Sequence, residues 1–214
     1  MRATQHREHR RPFRSVLDGG KAKGGSQPAV SAAAVSTART AVDFVSDGDA
    51  IIVGAGDAGE QLARRLLAHT GLVVVTNSLV VAGILATTSA QVIVTAGTLR
   101  GDTRGLVGTA TVNSLRHLHV GRAFVGGDGF SPLRGLTHQQ ESSASVARAM
   151  TGAAGEVVVL IDRERWGFDA PYVGVRPESV VAVLVSERAS GIGAASSRVD
   201  STQLRTIRGG APDA

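Results

Sequence analysis

The stretch Ala50-Ile51-Ile52-Val53-Gly54-Ala55-Gly56-Asp57-Ala58-Gly59 decides the fold. Four apolar residues run without a break and end in a glycine-rich turn. Residues 57–69 then place Leu62, Leu66 and Leu67 on one face of a helix. Residues 72–76 form a second unbroken apolar run. Short strands that are apolar throughout, rather than alternating, have no wet face and belong in a parallel sheet covered on both sides.

The same unit repeats outward from this core. Ser78 caps a helix over 78–86, and 91–95 is the next strand. After a polar loop come a helix at 109–118, a strand at 122–126, a helix at 141–153, and strands at 156–162 and 180–185. Upstream, Ser26 and Pro28 open a helix carrying Val35, Ala38, Val42 and Val45, and Asp47-Gly48-Asp49 ends it in a tight turn. The expected fold is α/β: a three-layer, Rossmann-like, mostly parallel sheet with helices on both faces. Residues 1–28 are expected to be a basic flexible arm, 29–187 the folded domain, and 188–214 a weakly structured tail.

Composition narrows the function classes. The chain has 214 residues, 43% of them hydrophobic but only 3% aromatic, so the core is built from Val, Ala, Leu and Ile. The absence of cysteine excludes disulfides, thiolate metal sites and thiol nucleophiles. No apolar run reaches the roughly 18 residues that cross a bilayer, and a cytoplasmic protein is expected. The net charge of +5 lies in the arm, where Arg2, Arg7, Arg10, Arg11, Arg14, Lys21 and Lys23 face Glu8 and Asp18. The rest of the chain is balanced. Such an arm touches DNA only nonspecifically, through phosphates. His117 with His119, and His6 with His9, are weak metal patterns, and no metal or cofactor is expected.

In an open parallel sheet, ligands bind beyond the carboxyl ends of the strands. The segments there are 54–59, 76–78, 96–100, 126–130 and 162–167, most of them rich in Gly, Ser, Thr or Asn. Their backbones can approach a ligand closely. Gly54, Gly56 and Gly59 satisfy the dinucleotide pattern G-x-G-x-x-G in its proper context. The second strand, however, ends in Thr76-Asn77 instead of the acid that would hold a ribose, and Asp57 stands where phosphate would dock. Asn77 and Ser78 are read equally as helix caps and as ligand contacts. Arg100 and Arg104 flank Gly101-Asp102-Thr103 in a loop that reads as mobile and solvated. Asp128, between two glycines, is a turn former or a ligand contact.

Several segments together resemble the C-terminal sensor domain of the DeoR family of bacterial regulators. They are Asp47–Ile51, Val75-Thr76-Asn77-Ser78-Leu79, Ala96-Gly97-Thr98-Leu99-Arg100 with Leu106-Val107-Gly108, and 123–129. Gly135-Leu136-Thr137, Arg148-Ala149-Met150, and Leu160-Ile161-Asp162 with Trp166-Gly167 complete the set. The resemblance implies a fold like that of ribose-5-phosphate isomerase, glucosamine-phosphate deaminase and CoA transferases. It also implies a phosphorylated sugar or related metabolite as effector, a homo-oligomer, and ligand contacts from Gly54, Gly56, Asp57, Asn77, Ser78, Gly97, Thr98, Arg100, Asp128 and Arg165. Family members begin with a winged helix-turn-helix of roughly 55–60 residues; only about 28 residues precede the first helix here.

The residues depart from the family at the site. Gly54-Ala55-Gly56-Asp57-Ala58 stands where the family has Asp-Ser-Gly-Thr-Thr. Ala96 replaces a glycine, Ser143 a glutamate, and Arg165 a lysine. An isomerase- or deaminase-like enzyme of the same fold remains the alternative reading, and a nicotinamide-cofactor protein a third.

Overall fold

The computed structural model describes residues 32–186 and 206–207. The arm at 1–28, the proposed cap at Ser26 and most of the tail lie outside the described residues.

Among the described residues, five α-helices and twelve strands follow in chain order. The helices are α1 (Ala32–Ala41), α2 (Asp57–Arg65), α3 (Leu79–Leu85), α4 (Thr109–Leu115) and α5 (Glu141–Gly152). The strands are β1 (Ala50–Val53), β2 (Val73–Thr76), β3 (Gln91–Val94), β4 (Thr98–Arg100), β5 (Gly105–Val107) and β6 (Val120–Gly126). They continue with β7 (Gly129–Ser131), β8 (Gly135–His138), β9 (Ala154–Asp162), β10 (Tyr172–Val175), β11 (Val180–Ser186) and β12 (Thr206–Ile207).

Seven strands form one sheet in the order β12-β11-β9-β6-β1-β2-β3, and every pairing in it is parallel. Side chains alternate across a strand, so β1 sends Ile51 and Val53 to one face and Ile52 to the other. On the first face they meet Ala38 of α1, Leu62 of α2 and Leu85 of α3. On the second, Ile52 joins Leu115 of α4, Val146 and Met150 of α5, and Val125 and Val159 from the sheet. These are the two apolar layers of the expected three-layer fold. No helix among the described residues is long and apolar enough to cross a membrane.

Several elements differ from the sequence reading. The polar loop after β3 is a hairpin, β4 antiparallel to β5. Segments β7, β8 and β10 form a second, antiparallel sheet that packs with α5. Strands of three or four residues without an unbroken apolar run display no period, so pattern alone misses them. β3 is not buried on both faces: it is an edge strand, with Gln91 and Val94 exposed. Within the tail, expected to be weakly structured, Thr206–Ile207 adds a strand beside β11.

Candidate functional site

The strand order creates a switch point at β1. From β1 the chain steps outward to β2 and β3, then crosses back to β6 on the opposite side. The loops leaving β1 and β6 therefore diverge and open a crevice at the carboxyl ends of the strands. A cavity of about 420 Å³ lies there. Its walls are the 54–59 loop, Asn77, the β4–β5 turn, the 126–128 loop, His138–Gln140 with Ser143, and Asp162 with Arg165.

The first wall is built by glycine. Gly56 has φ +119°, a conformation that other residues rarely adopt. Gly59 packs α2 against the end of β1 so closely that a Cβ would collide with Gly54 O. Strand, turn and helix thus meet as in a dinucleotide-binding unit. The position that would hold a ribose is engaged otherwise. Thr76 Oγ1 donates to Val53 O at 2.7 Å. Asn77 Oδ1 accepts from Ala55 N at 2.9 Å, and Asn77 Nδ2 donates to Leu106 O at 3.0 Å. Asn77 is therefore a buried tie between the first loop and the hairpin, with one edge on the cavity.

Seven of the ten expected contacts meet at this cavity: Gly54, Gly56, Asp57, Asn77, Arg100, Asp128 and Arg165. Ser78, Gly97 and Thr98 do not line it. Ser78 is fully buried and caps α3 by accepting from Val81 N. Gly97 is pressed against Thr111, and Thr98 is exposed on β4, opposite Val107.

Arg100 and Arg104 sit on the hairpin rather than in a free loop. Arg100 donates to Asp102 through Nε and Nη2, and to Ser143 Oγ through Nη1 at 3.0 Å. The Arg100 guanidinium holds the Asp102 carboxyl below its usual range. Arg104 Nη2 lies 3.2 Å from Asp57 Oδ1 and 2.9 Å from Glu60 Oε1. The second contact is an ion pair outside hydrogen-bond alignment. Burial pushes the Glu60 carboxyl up, although Arg104 opposes it. Asp57 thus shares with Glu60 an arginine 47 residues away from it.

The far wall is similarly pinned. Asp128 Oδ2 accepts from Gln139 N at 2.8 Å. Arg165 Nη1 donates to Gly127 O at 2.9 Å, and its Nε is 3.9 Å from Asp162 Oδ2. His138 is buried beside them, Nε2 has no hydrogen-bond partner, and burial lowers the imidazole pKa from its ordinary value. Sequence reasoning missed Arg104 and His138 as cavity residues. Arg104 reads as a solvated loop arginine, and His138 follows Gly135-Leu136-Thr137 with nothing to mark it. No group of His, Asp and Glu suited to a metal exists among the described residues.

The comparisons with known proteins agree with the resemblance. The chain matches the DeoR C terminal sensor domain over residues 31–187. It is 25% identical to a putative aga operon transcriptional repressor of Escherichia coli O157:H7, over 71% of this chain and 57% of that protein. It is 30% identical to the HTH-type transcriptional repressor GlcR of Bacillus subtilis, over 63% of this chain and 52% of that protein. The chain thus spans somewhat more than half the length of the curated relatives it matches. Among solved structures it is similar to ribose 5-phosphate isomerase A of Methanocaldococcus jannaschii, at 18% identity and TM-score 0.45, over 62% of this chain and 53% of that one. With a family match that runs from before α1 to the end of β11, the chain belongs to the DeoR C-terminal sensor domain family.

Proposed function

We propose that this chain is the effector-sensing part of a transcriptional repressor of sugar metabolism, and that a sugar-derived metabolite binds in the cavity beside β1 and β6. The observation that carries the reading is the convergence of five loops and the β4–β5 turn on one cavity at the switch point, in a chain of this family. DNA binding and repression belong to the whole regulator, of which this chain would be the part that reads the metabolite.

A phosphorylated sugar is the effector class that the family resemblance implies. Its phosphate would dock at the N-terminus of α2, where backbone N–H groups and the positive end of the helix dipole favour an anion. Asp57 in the first turn opposes it, at a cost on the order of 1–2 kcal/mol unless Arg104 offsets the charge. Phosphorylated sugars should therefore bind weakly.

The test is calorimetric titration of sugars, sugar alcohols and their phosphates into the full chain and an Arg165→Ala variant. The reading requires saturable binding by at least one of them, weakened several-fold in Arg165→Ala. No heat from any of them would overturn it.

A further inference from the structure

The three arginines that line the cavity are not equally engaged. A guanidinium carries five N–H donors on three nitrogens. Arg100 spends all three nitrogens, Nε and Nη2 on Asp102 and Nη1 on Ser143 Oγ. Arg165 spends Nη1 on Gly127 O and has Nε 3.9 Å from Asp162. Arg104 makes both of its contacts through Nη2, with Asp57 at 3.2 Å and Glu60 at 2.9 Å. Among the described residues its Nε and Nη1 have no partner. From this contrast we infer that Arg104 selects a phosphorylated effector, its unspent donors taking the phosphate oxygens; this assignment rests on the effector reading above and names the side chain that sets its ligand class.

The placement of Arg104 suits that role. Asp57 and Glu60 lie in the first turn of α2, so the guanidinium they hold stands at the N-terminal end of that helix. A phosphate docked there meets the positive end of the helix dipole and an arginine together. The two carboxylates grip the guanidinium at one nitrogen and leave the others to a ligand. Nor do they cancel its charge twice over. Glu60 is 6% exposed and burial favours its neutral form, which leaves Asp57 as the opposing charge.

The backbone points the same way. Arg104 has φ +52° and is the one non-glycine residue with a positive φ among the described residues. Glycine or asparagine takes up that conformation more readily, so nothing in the turn itself calls for an arginine. What the side chain reaches across the cavity does. A parent sugar, with neutral hydroxyls alone, has little use for that charge, whereas a phosphate dianion depends on it.

Calorimetry on the full chain at pH 7.5 tests this with glucose 6-phosphate, glucosamine 6-phosphate and glucitol 6-phosphate, each beside its parent compound. In Arg104→Gln the phosphate that binds should lose at least tenfold in affinity, and its parent, where it binds, less than twofold. Arg104→Lys, which restores a cation, should recover at least threefold of that loss. The double variant Arg104→Gln/Glu60→Gln leaves no buried carboxylate stranded, and should still bind the phosphate at least fivefold more weakly than wild type. An unchanged phosphate affinity in Arg104→Gln, an equal loss for the parent, no recovery in Arg104→Lys, or wild-type affinity in the double variant overturns the assignment. A wild type that binds a parent compound and no phosphate overturns it too, and leaves the effector reading standing. Heat from no compound removes the effector reading and this assignment together.

Discussion

Asn77 shows how one side chain can serve both fold and site. It reads in the sequence as a cap or a ligand contact, and the cap proves to be Ser78. Asn77 instead bonds Ala55 N and Leu106 O, 22 residues before it and 29 after it. Asn77→Ala should lose about 1–3 kcal/mol, since it leaves buried partners unsatisfied. A urea midpoint unchanged from wild type would contradict that. His138 contributes a pH dependence of its own. Its folded-state pKa lies below the ordinary value of 6.5, so the unfolded chain takes up the proton first on acidification. The stability it contributes is complete above about pH 6.5 and is lost progressively as pH falls below that value. Melting curves from pH 7.5 to 5 should fall more steeply for wild type than for His138→Gln, and parallel curves would exclude the assignment. No sequence signal marked this histidine, because its ring lies against Gly174, a residue of β10 far along the chain.

The elements divide by length and locality. Helices α2 and α5 and strands β1, β2, β6 and β9 are legible because each shows an apolar face or a largely unbroken apolar run. The β4–β5 hairpin and the β7-β8-β10 sheet are not. β10 pairs with β8 across an interval that contains α5 and β9, and no local pattern encodes such a pairing. Gly97 is the hinge of the first of these missed pieces. Its φ is +136°, and a Cβ would collide with Thr111 Oγ1 and Val107 O. Gly97→Ala should therefore cost roughly 1–3 kcal/mol by overpacking, with backbone strain in addition. The midpoint of unfolding measures this, and a neutral substitution would mean that the hairpin is not held against α4 as described. The expected role of Gly97 as a ligand contact gives way here to a packing role, while Arg100 and Arg104, carried by the same hairpin, reach the cavity.

At the scale of the whole molecule, ligand binding and stability are coupled, since an effector that binds only the folded state adds free energy to it. At a hundred times its dissociation constant the effector should stabilise by about 2.7 kcal/mol. For a domain of this size that corresponds to a rise in Tm of roughly 5–10 °C. A thermal shift that saturates at the calorimetric dissociation constant, and shrinks in Arg165→Ala, is the expected outcome. A shift that persists unchanged in that variant would place binding elsewhere. The sequence by itself determined the layered α/β architecture, because unbroken apolar strands alternating with amphipathic helices have one economical way to bury both faces. It also determined the glycine-rich first turn, whose composition is set by local backbone geometry. Only the tertiary structure decided that β6 lies beside β1, which makes the crevice, and that Arg104 reaches Asp57 and Glu60, which fixes its charge. Both depend on contacts between residues dozens of positions apart, and such contacts leave no period in the chain for a sequence reading to detect.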